Sequence, residues 1–463
     1  MTEVADREAE ADLDERLAEA NGSPGPGRVV IVVPTSGRYD SRTARIAGTL
    51  RSRGHAVTIL ARGEPGLPEE ETNAEGIRTI RTVVEPLGGL PLPARLGRAH
   101  RRGRVPNASD VPATRAARGA SGGSPSARLR RFAGEVHRVV AIALSVRAQT
   151  RAAADSDPGA DVYHGMAFQG IPVALELASG SGVPAIYDVR DIYVESRNLA
   201  RMPPVVRGAV ARLEGRWARH AAATMTVNQG CAQLLHERYG VRPAVVMNCP
   251  PRQEPAAERP ERLRSALGLA AGDPVVLYHG GFLADRGLPE AIGAMAEPGL
   301  ETAHLALLGW GEEEDRLRRL AEAPALAGRV HLLPAVPPAE LLEWVASADV
   351  SIMVNQPRTL NERLSTPNKL FESLAAGVPV VSSDFPERRR IVIDDPDGPL
   401  GAVCDPTDPT AIADALRSIL GLEPAAAADL RARCARAARE RYSWESQVPA
   451  LLATYRAATG RDW

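Results

Sequence analysis

A chain of 463 residues, 44% of them hydrophobic, is long enough for two domains with their own cores. Its formal net charge of -1 supplies no global field for nucleic acid, and four cysteines (Cys231, Cys249, Cys404, Cys434) without CxxC spacing argue against a disulfide framework or a structural zinc site. No apolar run reaches the roughly 18 residues of a membrane span, and the acidic stretch Met1 to Glu19 lacks the apolar centre of a secretory signal, so the expected location is the cytoplasm.

Residues 1–27 read as a charged, Ala-rich, disordered acidic tail. Val29-Val30-Ile31-Val32-Val33 is a continuous β-branched run, the mark of a strand buried on both faces. It stops at Pro34-Thr35-Ser36-Gly37. An amphipathic helix then runs from about Ser41 to Arg53, and Gly54-His55 leads into the strand Ala56 to Leu60. This βαβ unit implies a parallel sheet with right-handed crossover. Further strands are predicted at 76–84, 160–164, 184–188, 222–227 and 243–247. An insert at about 85–128, rich in Arg, Gly and Pro, interrupts them. Ten arginines fall between Arg95 and Arg131 against one acid, Asp110, which reads as a disordered loop or as a surface for an anionic membrane or charged acceptor.

Pro250 to Pro260 reads as a linker. A second series follows, with strands at Val275–Tyr278, His304–Leu308, Val330–Leu333, Val350–Val354, Val378–Ser382 and Leu400–Val403. The predicted fold class is therefore α/β, with two doubly wound Rossmann-like parallel-sheet domains facing across a cleft. The predicted domains are 28–250 and 258–440, followed by a crossover helix at 441–463.

Lys369 is the chain's single lysine, against 55 arginines, a bias expected of a GC-rich bacterial genome. A compact ammonium suits a narrow phosphate pocket better than a wide planar guanidinium. Lys369 falls in the first turn of a helix predicted to start at Pro367, and Glu372 lies one turn on. The pair suits a nucleoside diphosphate: cation for phosphate, carboxylate for ribose hydroxyls. It is also what an ordinary solvated Lys-Glu helix pair looks like. A second anion site is predicted after Val275–Tyr278. There Gly280-Gly281 reads as a turn that lets backbone approach a ligand, and Arg286 precedes a helix near Pro289.

These pieces come in a recognisable order. Tyr278-His279-Gly280-Gly281 is followed by Arg286-Gly287-Leu288, Leu307-Leu308-Gly309-Trp310-Gly311, Val336 to Leu341, Ala348-Asp349-Val350 and Pro367-Asn368-Lys369-Leu370-Phe371-Glu372 running to Val381. The series resembles the nucleotide-sugar domain of retaining glycosyltransferases of the family 4 type, with the GT-B fold. Asp40-Ser41-Arg42, Gly54-His55-Ala56-Val57 and Tyr187 to Tyr193 resemble the acceptor domain, and Tyr442-Ser443-Trp444 the segment that crosses back to it.

The resemblance implies a glycosyltransferase that moves a sugar from a nucleoside-diphosphate sugar to an acceptor hydroxyl with retention, in glycan, glycolipid or natural-product biosynthesis. Arg286 and Lys369 would hold the diphosphate as it leaves, and Glu372 the ribose. Gly37 would let backbone approach the donor, and the base would pack near Gly309. No metal or other cofactor is expected.

Four departures from the family pattern bear on the site. Phe282 follows Gly281 where many members have an arginine, which leaves Arg286 with more of the charge. The carboxylate expected eight residues before Glu372 is Leu364, with Glu362 nearby, which shifts donor-sugar contact to the backbone around Ser365 and Thr366. His164 keeps the first histidine of the His-x-His pattern and is the candidate sugar contact, with a structural histidine as the alternative. Arg190 and Asp191, in Tyr187-Asp188-Val189-Arg190-Asp191, are the acceptor-side candidates. The alternatives are a sugar-nucleotide epimerase on the same scaffold and a degenerate binding protein. Expected partners are the donor, an acceptor of unknown identity and, through the insert, the inner face of the cell membrane.

Overall fold

The computed structural model describes residues 26–38, 40–82, 144, 146–254, 259–326 and 328–463. The acidic tail up to residue 25, the arginine-rich insert expected to meet a membrane, and residues 255–258 of the linker lie outside the described residues.

Two sheets organise the chain. The first contains β1 (Arg28–Val32), β2 (Ala56–Arg62), β3 (Glu70–Thr72), β4 (Arg78–Thr82), β5 (Val162–Met166), β6 (Ala185–Val189), β7 (Ala223–Thr226) and β8 (Ala244–Val245). Its order is β3-β4-β2-β1-β5-β6-β7-β8. The second contains β9 (Val275–Gly281), β10 (His304–Trp310), β11 (Val330–Leu333), β12 (Val350–Met353), β13 (Val380–Ser383) and β14 (Gly401–Cys404), in the order β11-β10-β9-β12-β13-β14. Every registered pair of the second sheet is parallel. The chain winds outward from β9 to β11, then returns to the other side of β9 as β12. The strand order reverses there, and ligands of open α/β sheets bind outside the carboxyl ends of strands at such a point.

By its internal contacts the chain divides into two compact units. The first holds residues up to Val189 with Arg212–Thr224 and Leu452–Trp463; the second holds Arg190–Ala211 and Met225–Leu451. This division groups 190–211 and 225–250 with the second unit, where the sequence reading placed them with the first. The core of the second unit runs from Val276, Tyr278 and Phe282 through Leu305 and Leu307 to Phe371, Leu374 and Val380. No helix among the described residues is long and apolar enough to cross a membrane.

Three local differences from the sequence reading matter. Gly280 and Gly281 are not a turn. They extend β9, in register with Gly309 and Trp310 of β10. β3 pairs antiparallel with β4 at the sheet edge and is exposed throughout, so it carries no apolar signal. A short helix, Leu360–Leu364, precedes the lysine helix. Its start is a capping box in which Thr359 accepts from the Glu362 amide and Glu362 accepts from the Thr359 amide. Glu362, the acid nearest the missing carboxylate, is therefore tied to a helix end.

Candidate active site

The site is built at the carboxyl ends of β9, β12 and β13. The helix Asn368–Ala375 begins after Pro367, which serves as its N-cap, so Lys369 is its second residue and lies in the first turn. Leu370, Phe371 and Leu374 bury the opposite face, which fixes the helix phase and leaves Lys369 and Glu372 half-buried toward β9.

The Lys369 ammonium sits over the Tyr278 ring, 3.6 Å from its centroid. A Cβ on Gly280 would lie 3.3 Å from Lys369 Nζ, so the glycine clears the space the ammonium occupies. Gly280 also has φ +118°, a conformation side chains resist. Gly309 is glycine for a different reason: a Cβ there would fall 2.0 Å from the Gly280 carbonyl oxygen on the adjacent strand. Tyr278 Oη donates to the Gly281 carbonyl at 2.8 Å, and burial pushes its pKa up to about 12, with the Arg286 charge opposing. Glu372 Oε2 lies 3.0 Å from Nε2 of the buried His279. That bond fixes the orientation of the Glu372 carboxylate beside the end of β9.

Arg286 comes from the loop after β9. Its turn is fixed by Gly287, with φ +69° and no room for a Cβ, which would meet the Val354 carbonyl oxygen at 1.9 Å. Gln356 N donates to the Asp285 carbonyl at 3.0 Å, tying the same loop to the end of β12. Among the described residues no carboxylate lies within ion-pair distance of Arg286 or Lys369. Burial, then the Arg286 charge, drives the Lys369 pKa well below its ordinary 10.5; Glu372 opposes this and Arg388 adds to it. Concentrated positive charge with little compensation is what an anion site requires.

The loop before the helix is held tightly. Ser365 Oγ donates to the Glu362 carbonyl at 2.8 Å, so its proton is engaged within the loop. Asn228 Nδ2 donates to the Leu364 carbonyl at 2.7 Å and to Thr366 Oγ1 at 3.3 Å. Asn368 Oδ1 accepts from Asn248 Nδ2 at 2.9 Å. Asn361 accepts from the Ile192 amide at 2.7 Å and donates to Asp191 Oδ1 at 3.1 Å, joining an acceptor-side candidate to the helix that precedes the loop. Asp191 is exposed and Arg190 half-buried.

The structure thus brings Gly280, Gly281, Arg286, Gly309, Ser365, Thr366, Pro367, Asn368, Lys369 and Glu372 into one region of the second unit. Gly37 and His164 belong to the first unit. Gly37 has φ +78° in the loop after β1, and its glycine answers to that conformation, since nothing lies closer than 3.9 Å to a Cβ placed there.

His164 departs from its expected role. It is fully buried in β5, between Ile31 of β1 and Ile186 of β6 in register. Its Nδ1 lies 2.7 Å from Tyr455 Oη, and Nε2 faces Asp188 at 3.6 Å. Arg42 completes the group, donating to Asp188 at 2.6 and 2.9 Å. Burial works to raise the Asp188 pKa, but Arg42 and His164 outweigh it and hold the carboxyl well below its usual range. With no exposed surface, His164 stands inside a buried polar network, the structural alternative.

Sequence reasoning did not single out His279, Tyr278, Asn228, Asn361 or Arg388. Tyr278 and His279 directly precede the glycines, which was the available signal for them.

Two family descriptions match the chain. Glycosyl transferases group 1 covers residues 260–441, and the glycosyl transferase 4-like domain covers 39–252. D-inositol 3-phosphate glycosyltransferase of Acidothermus cellulolyticus is 27% identical over 96% of this chain and 93% of its own length. Glycogen synthase of Mycobacterium tuberculosis is 29% identical over 40% of this chain and 43% of its own. Sucrose-phosphate synthase from Thermosynechococcus elongatus superposes with TM-score 0.67 at 18% identity, covering 93% of this chain and 98% of that one. Anabaena HepE, solved with UDP and glucose, gives 0.60 at 15%, covering 93% and 99%. Relatives named as sugar transferases favour transfer over the epimerase alternative. The chain belongs to the group 1, family 4-type glycosyltransferases with the GT-B fold, and is a nucleotide-sugar-dependent transferase.

Proposed function

We propose that the enzyme transfers a sugar with retention of anomeric configuration, and that the leaving diphosphate is neutralised by Lys369 and Arg286 without a metal. The observation that carries this is a pair of cations, with no carboxylate within ion-pair distance among the described residues, at the strand-order reversal and beside a carboxylate fixed by His279. As the bond from sugar to phosphate oxygen breaks, negative charge grows on the diphosphate. Preorganised cations lower that barrier and take over the neutralisation a divalent ion supplies elsewhere. Glu372 accepts two ribose hydroxyls, and the first amides of the lysine helix face the phosphates. The loop backbone at Ser365 and Thr366 meets the donor sugar, with Ser365 Oγ already committed to Glu362.

Retention follows the family resemblance. The relative named for D-inositol 3-phosphate makes a phosphorylated cyclitol the first acceptor to test, with Arg190 as the cation on the acceptor-side segment. The test is a calorimetric panel of uridine, guanosine and adenosine diphosphates and their sugars, then transfer assays with and without EDTA, with the product anomer read by NMR. Binding of one base, EDTA-insensitive turnover and a retained anomer support the proposal. No binding by any member refutes the donor site, and EDTA inhibition refutes the metal-free mechanism.

A further inference from the structure

Among the described residues, Arg42 and Arg388 are the two largest fully buried side chains. Both are cations removed from water, but the structure treats them differently. Arg42 is paired with Asp188 through two hydrogen bonds. Arg388, in the helix Pro386–Val392 after β13, has no carboxylate within ion-pair distance among the described residues. Its donors reach neutral oxygens only: the Met353 carbonyl at 3.1 Å, Ser383 Oγ at 3.2 Å, and the Ser365 carbonyl and Oγ, both at 3.2 Å.

Those four bonds tie the ends of β12 and β13 to the loop that launches the lysine helix. Scaffolding alone does not require a charge there. Neutral donors satisfy such oxygens, and a buried charge without a counter-ion is disfavoured. The charge becomes favourable when an anion arrives above it. Resting on the donor site proposed above, we infer that Arg388 is a third cation of the diphosphate site, acting from beneath the Ser365 loop without touching the ligand. It is a positioning residue through Ser365 and an electrostatic one through its uncompensated charge. Burial first, then the Arg286 charge, brings its pKa down to about 9, with Glu362 opposing. Arg388 in turn lowers Lys369, so the three cations share one neighbourhood.

The experiment separates charge from scaffold by changing the ligand as well as the residue. Wild type, Arg388→Met, Arg388→Gln and Arg388→Lys are titrated with a nucleoside diphosphate and with the nucleoside of the same base. The probes are UDP with uridine, GDP with guanosine and ADP with adenosine, and the pair that binds wild type is carried forward. The nucleoside is followed by saturation-transfer NMR. Two unit charges about 10 Å apart at an effective dielectric of about 20 change an equilibrium constant by about an order of magnitude. Arg388→Met and Arg388→Gln should therefore lose about tenfold in diphosphate affinity and less than about twofold in nucleoside affinity, and Arg388→Lys should recover most of the loss.

Equal losses for both ligands, or no loss for either, overturn the inference. If Arg388→Met does not fold, Arg388→Gln, which keeps an amide for Ser365 and drops the charge, carries the test. Failure of wild type to bind any diphosphate would sink the donor-site reading itself, an outcome distinct from failure of the Arg388 inference.

Discussion

Adjacent glycines at the end of β9 should respond oppositely to one methyl group. At Gly280 the added Cβ lies 3.3 Å from Lys369 Nζ and 3.6 Å from Cε, and φ is +118°. At Gly281 φ is not in the left-handed region, and the nearest neighbour is Leu283 Cγ at an ordinary 3.7 Å. Backbone held in a glycine-only region costs about 1–3 kcal/mol once a side chain is present. For a unit of this size each kcal/mol lowers Tm by about 2–4 °C, so Gly280→Ala should melt roughly 2–12 °C lower. The ammonium must also retreat by a few tenths of an ångström. Since a misplacement of about 1 Å can cost about 100-fold in rate, Gly280→Ala should lose about threefold to tenfold in kcat. Gly281→Ala should stay within about 0.5 kcal/mol and twofold, the range for substitutions away from strained features. Calorimetric melting and initial rates with a nucleotide sugar measure both. Identical behaviour of the two variants in both assays refutes the claim that Gly280 is shaped around Lys369.

Lys369→Met and Arg286→Met should each lower kcat by about two orders of magnitude, the scale for removing a preorganised charge donor; near wild-type turnover in steady-state assays for both removes their phosphate role. Lys369 carries a lowered pKa in the empty site, and an anion beside it favours the charged form. In the pH range between the lowered pKa and the ordinary lysine range, donor binding should therefore take up protons, and affinity should fall as pH rises through that range. A nucleotide sugar, whose phosphates do not titrate near neutrality, should show this in calorimetry across buffers of different protonation enthalpy, with the uptake absent in Lys369→Met. Uptake unchanged in that variant assigns the proton to another group. In the first unit, Arg42→Met removes the two charged hydrogen bonds of the buried Asp188, leaving only His164, at 3.6 Å, among the described residues, and should destabilise by about 3–5 kcal/mol in chemical denaturation. Because the folded Asp188 pKa lies below its unfolded value, the carboxylate's contribution is complete above about pH 4 and is lost only as pH falls through the folded value. A loss under about 1 kcal/mol at neutral pH contradicts the pairing.

The architecture was legible because parallel strands buried on both faces are written as continuous apolar runs, as at Val29–Val33 and Val275–Tyr278. Lys369 and Glu372 were legible as types at helical spacing. Their surroundings were not. His279 meets Glu372 across 93 residues of sequence. Arg388 stands in the run Arg388-Arg389-Arg390, where only helix phase decides that the first is buried and the other two are exposed. Local pattern carries neither fact. His164 was ambiguous in the sequence for a related reason. A strand-end histidine looks the same in sequence whether it faces a ligand or a buried Tyr455, whose position depends on a helix almost 300 residues later in the chain.

A crystal structure of the enzyme with the nucleoside diphosphate selected by the binding panel would show whether Lys369, Arg286 and Glu372 hold one ligand. Phosphate oxygens should lie within about 3 Å of Lys369 Nζ and the Arg286 guanidinium, with both ribose hydroxyls on Glu372. Density for the phosphates elsewhere, with Lys369 still over the Tyr278 ring and no anion beside it, would contradict that arrangement.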